Sequence, residues 1–148
     1  EFRRVLFRSG AHVLDRAVLG SIEFAVTQLA VPLVMVLGHE RCGAVAATVA
    51  ALRSGPRPGG ALAYLVEQIS AAVTDVGLDH PDVHARAVRR HITRTVAALR
   101  VEPILAPRIA AGTLDVVGAV YDLDTGTVDL LDGPAGLGGP ADVDEPVG

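Results

Sequence analysis

Between residues 15 and 30 the apolar positions Val18, Leu19, Ile22, Ala25, Val26 and Leu29 recur at helical spacing, which gathers them on one face of an α-helix. Asp15 precedes them where a carboxylate can cap the first turn. The pattern then changes character. Residues 31–37 (VPLVMVL) form a nearly continuous aliphatic run closed by Gly38, as expected of a strand buried on both faces of a parallel sheet. After a loop over 38–41, residues 42–53 are rich in Ala and Val and suit a helix, until SGPRPGG at 54–60 breaks it. Helical periodicity returns over 61–73 and 82–101, separated by a turn-rich stretch at 77–81, with Pro103 and Pro107 limiting the second of these helices. Residues 114–123 (LDVVGAVYDL) alternate and are β-branched; Asp124-Thr125-Gly126 makes a turn, and 127–131 return as an antiparallel partner at the sheet edge. Together these elements predict an α/β domain with a mostly parallel β-sheet, an antiparallel edge strand and flanking helices.

Composition narrows the picture. A chain of 148 residues that is 50% hydrophobic closes one core, which we place at residues 10–132. Residues 1–9 (EFRRVLFRS) have neither an initiator Met nor a signal-peptide pattern and read as a non-native or truncated segment. Residues 133–148 are dominated by Gly, Pro and Asp without periodicity and read as a disordered tail. With aromatics at 3% and no Trp, stacking platforms for single-stranded nucleic acid are excluded. The 13 basic residues are all Arg, yet 17 acids leave a net charge of -4, the wrong sign for a nucleic-acid partner. No apolar run approaches the ~18 residues of a membrane helix. A single cysteine, Cys42, excludes an internal disulfide and fits a reducing, cytoplasmic compartment, so a special role for it would be as thiolate or ligand.

That cysteine stands in the most informative segment, Gly38-His39-Glu40-Arg41-Cys42-Gly43-Ala44-Val45, where the predicted buried strand ends in His-x-x-Cys just before a helix. Open α/β sheets bind ligands beyond the carboxyl ends of their strands, and imidazole and thiolate are donors that zinc prefers. Three readings fit the spacing: a metal pair, a buried inert Cys beside a loop-capping His, and a Cys–His nucleophilic pair. The nucleophilic reading lacks an evident third, orienting residue. Gly43 and Ala44 would present free amides to a small anion at the helix start. Among the other histidines, His12 reads as a solvated loop residue, and His84 and His91 as part of a solvated or subunit-facing Arg-rich helix surface.

The stretch HVLDRAVLGSIEFAVTQLAVPLVMVLGHERCGAVAAT at 12–48, followed by EPIL at 102–105 and LDVVGAVYDLDTG at 114–126, closely resembles the β-class carbonic anhydrases of bacteria. The resemblance runs from residue 10 to about 131. It implies the β-carbonic anhydrase fold lacking its first strand, and a zinc lyase that reversibly hydrates carbon dioxide to bicarbonate. It further implies a homodimer or higher homo-oligomer, Zn²⁺ held by His39 and Cys42, and bicarbonate oxygen resting on Gly43 and Ala44. The family's remaining ligand lies in a Cys-x-Asp-x-Arg motif that this sequence does not contain, so no catalytic residue is assigned beyond the metal ligands. A two-ligand site holds zinc weakly, so this chain is expected to be impaired. The alternative expectation is a non-catalytic fragment acting in subunit association or bicarbonate binding.

Overall fold

Asp15 caps the first helix by the predicted device: its Oδ1 accepts a hydrogen bond from the Val18 amide at 2.8 Å, and α1 runs over Arg16–Gln28. The computed structural model describes residues 10–132, so the expectations for 1–9 and 133–148 lie outside the described residues. After α1 come β1 (Leu33–His39), α2 (Gly43–Leu52), α3 (Gly60–Val76), α4 (Val83–Arg100), a short α5 (Ala106–Ala110), β2 (Asp115–Tyr121) and β3 (Val128–Asp132). A 3-10 turn, Gly10–His12, precedes them. The sheet order is β1-β2-β3, with β1 and β2 parallel and β2 and β3 antiparallel, the mixed sheet that the sequence predicts.

α4 lies across β1 and β2 and packs against α2 and α3, forming one helical layer. It is the most amphipathic element: Val83, Ala87, Val88, His91, Ile92, Thr95, Val96 and Leu99 are buried along one stripe, while Arg86, Arg89, Arg90 and Arg94 face outward. Ile92 and Leu99 are fully buried, each contributing about 1.5–3 kcal/mol of transfer free energy. Close approach of α4 to the sheet depends on two glycines. A Cβ on Gly38 would lie 2.6 Å from Ile92 Cδ1, and one on Gly118 would lie 2.8 Å from Ile92 Cγ2.

Two expectations are corrected. β1 is buried on one face only, since Leu33, Met35 and Leu37 are each more than 40% exposed. β2, whose sequence alternates, is instead buried on both faces from Val116 to Val120. The reason is position: β2 is central, whereas β1 pairs on one side only among the described residues. The sequence reading gave no element for residues 106–110, where α5 contains Pro107 near its start. Proline is compatible with a first helical turn, because the amides there have no intrahelical acceptor. Among the described residues no helix is long and apolar enough to cross a membrane.

Candidate metal centre

His39 is the last residue of β1 and Cys42 is the N-cap of α2, so the strand-to-helix turn alone separates them. Both residues, with His12, Ala11, Leu37, Val45 and Val88, line one pocket of about 60 Å³, room for an ion and one or two waters. The His39 ring is oriented by its own loop. Its Nδ1 lies 2.8 Å from the Glu40 carbonyl oxygen, which can only accept, so Nδ1 donates and the neutral ring keeps its lone pair on Nε2. Cys42 makes no side-chain cap hydrogen bond, which leaves its Sγ uncommitted to the helix. Gly43 and Ala44 supply the first amides of α2, donors with no intrahelical acceptor, although neither residue lines the pocket.

The turn itself is pinned at three points. The Glu40 amide donates to the Tyr121 carbonyl at 3.2 Å, extending the β1–β2 ladder past the strand end. Arg41 occupies the left-handed region at φ +51, a conformation costing a non-glycine residue about 1–2 kcal/mol. Its guanidinium makes a bidentate pair with Asp124, both nitrogens at 2.8 Å from the carboxylate oxygens. This pair raises the Arg41 pKa, and the Arg41 guanidinium holds the Asp124 carboxyl below the usual carboxylate range, first by hydrogen bonding and then by charge. Asp122 is lowered as well, chiefly by the Thr125 amide, which with the Asp124 amide donates to its Oδ1.

His12 does not stand in solvent as the sequence suggested. Its ring stacks on His91 at 4.7 Å, and its Nδ1 is a buried nitrogen with no hydrogen-bond partner. Burial first, then the charges of His91 and His39, push its pKa down to about 3, so the imidazole is neutral near pH 7. His91 is likewise buried, its Nε2 2.9 Å from the Ala11 carbonyl, and burial lowers its pKa. His84, by contrast, is exposed. The signal for His91 was present in the sequence, because it falls between Val88 and Thr95 on the apolar stripe of α4.

The donor chemistry therefore fits zinc in half. An imidazole residue and a thiol residue line one pocket, and an orphaned imidazole nitrogen belongs to a third residue lining it. Yet no trio of His, Cys, Asp or Glu donors that includes His39 or Cys42 lies within 4.8 Å among the described residues. The one trio that does, Glu40, Asp122 and Asp124, is acidic and partly exposed; its aspartates are engaged by Arg41 and by turn amides. Sequence reading missed this cluster, whose members come from the loop after β1 and the turn after β2.

A family profile described as carbonic anhydrase matches residues 5–128. Carbonic anhydrase 2 of Mycobacterium tuberculosis is 43% identical over 132 residues, covering 88% of this chain and 64% of the relative. A carbonic anhydrase of Mycolicibacterium smegmatis is 43% identical over 127 residues, covering 83% of this chain and 60% of that protein. The chain thus spans less than two-thirds of the length of these curated relatives. Among solved structures, the Coccomyxa β-carbonic anhydrase in complex with acetazolamide superposes with a TM-score of 0.71 at 25% identity, covering 84% of this chain and 59% of that one. A β-carbonic anhydrase of Aspergillus fumigatus gives 0.69 at 26% identity, covering 85% and 62%.

Proposed function

The chain belongs to the β-carbonic anhydrase family, and from that premise we propose that its domain is built for the reversible hydration of carbon dioxide to bicarbonate, with zinc held by His39 Nε2 and Cys42 Sγ. The observation that carries this reading is that both residues line one pocket at the carboxyl end of β1. When bound, zinc supplies the Lewis acidity that makes water nucleophilic at neutral pH. The chain's own residues do the rest. The Glu40 carbonyl fixes the His39 tautomer. Leu37, Val45 and Val88 give the pocket apolar walls suited to an uncharged gas. The free amides of Gly43 and Ala44 offer donors to a bicarbonate oxygen.

With one cysteine and no Cys-x-Asp-x-Arg motif, the chain as it stands offers two donors, so we expect weak zinc retention and slow turnover. A second reading, association or bicarbonate binding without turnover, is favoured by the absence of a third converging donor among the described residues. For either reading we propose a homo-oligomer. Leu33, Met35 and Leu37, with Leu130 aligned to Leu37 through Ala119 of β2 and Val128 two residues from it on the same face, leave exposed apolar side chains on one sheet face, which suits burial against a second copy. Zinc content and stopped-flow carbon dioxide hydration, measured on the wild type, His39→Ala and Cys42→Ser, test the proposal. Loss of metal in both variants supports it, and unchanged metal in both refutes it. Full zinc occupancy with rapid turnover in the wild type would overturn the expected impairment.

A further inference from the structure

We infer that the Arg41–Asp124 ion pair is a positioning device, which holds the turn after β1 so that the His39 imidazole and the Cys42 thiol address the same pocket. The inference rests on the proposed metal role of those two residues. Three observations support it. Arg41 lies between the two ligands and is the turn residue with positive φ. That conformation is one glycine adopts without cost, so an arginine there needs compensation. Compensation is present in the bidentate contact to Asp124, 83 residues away in sequence, a geometry that fixes direction as well as distance.

The partner side is equally well prepared. Asp122 Oδ1 accepts from the Asp124 amide at 2.7 Å and the Thr125 amide at 3.0 Å, which holds the turn after β2 without any help from Arg41. Replacing Asp124 therefore leaves its own turn tied while freeing the guanidinium. The Glu40 amide bond to Tyr121 anchors one side of the turn through the backbone. The ion pair anchors the side nearer Cys42.

Both partners are more than half exposed, so the effect should be the modest one of a surface pair, about two- to five-fold. The test uses two readouts on the wild type, Asp124→Ala, Arg41→Ala, the double variant and the charge swap Arg41→Asp/Asp124→Arg. The first is the rate at which Cys42 of the metal-free protein reacts with an aromatic disulfide, and the second is Co²⁺ affinity followed by its visible absorption. We expect each single variant to shift the thiol rate and weaken Co²⁺ binding about two- to five-fold, the double variant to match the singles, and the melting temperature to stay within about 2 °C. Additive effects in the double variant, unchanged rates and affinities in the singles, or a melting temperature that falls in step with them would overturn the inference. A wild type that binds no Co²⁺ while the thiol rates still shift would refute the metal reading and leave the positioning role standing.

Discussion

The rings of His12 and His91 stack 4.7 Å apart with their planes tilted by 30°, and His12 also lines the pocket shared by His39 and Cys42. Two imidazoles this close, one with a buried nitrogen that has no hydrogen-bond partner, are stable together only while both are uncharged. The folded state thus binds protons less readily than the unfolded chain.

A pH dependence of stability follows. The folded pKa of His12 is pushed down to about 3, and that of His91 is also lowered, both from the 6.5 of an unperturbed histidine. The full contribution is present above pH ~6.5 and is lost as pH falls through the window below it, where the unfolded state takes up the protons. Each histidine costs up to about 1.4 kcal/mol per pH unit there. Urea midpoints measured between pH 7 and pH 5, above the range in which most carboxylates titrate, should fall steeply for the wild type and less steeply for His12→Asn. Equal slopes would show that His12 is not buried neutral.

Ile92 is seated against both close-approach glycines, but through different methyl groups. Gly38→Ala is directed at Cδ1 and Gly118→Ala at Cγ2, so each should destabilise by about 1–3 kcal/mol through overpacking. Ile92→Val deletes Cδ1 and keeps Cγ2. It should therefore recover part of the loss from Gly38→Ala and none of that from Gly118→Ala. Chemical denaturation of the two double variants decides this, and equal rescue of both glycine variants would contradict the packing described.

The exposed sheet face gives a prediction about assembly. Met35 is 44% exposed among apolar neighbours and does not line the metal pocket. Met35→Lys should shift sedimentation velocity from an associated species towards the monomer while leaving the melting profile of the monomer near that of the parent. A wild type that sediments as a monomer at every concentration would remove this face as a self-association surface.

Most of the architecture could be read from periodicity, because α1, α4 and the β2–β3 hairpin carry their own signals: a capping Asp15, a buried stripe, and a turn at Asp124-Thr125-Gly126. That His39 and Cys42 line one pocket was legible for a similar reason, since a strand end and a helix start joined by two residues leave the chain few alternatives. What escaped was set by distant neighbours. The burial of His12 depends on His91 far along the chain, and Arg41 meets Asp124 across the sheet. Similarly, the one-sided burial of β1 depends on which strands and helices cover it, and Val, Leu and Met alone do not specify that.

The proposed metal centre requires imidazole nitrogen and cysteine sulfur to bind the same ion. Zinc K-edge X-ray absorption of the zinc-loaded chain addresses this directly. It should reveal one sulfur at about 2.3 Å and at least one imidazole nitrogen at about 2.0–2.1 Å, with the sulfur shell lost in Cys42→Ser and an imidazole contribution lost in His39→Ala. A metal shell of oxygen alone, unchanged by either substitution, would contradict the assignment.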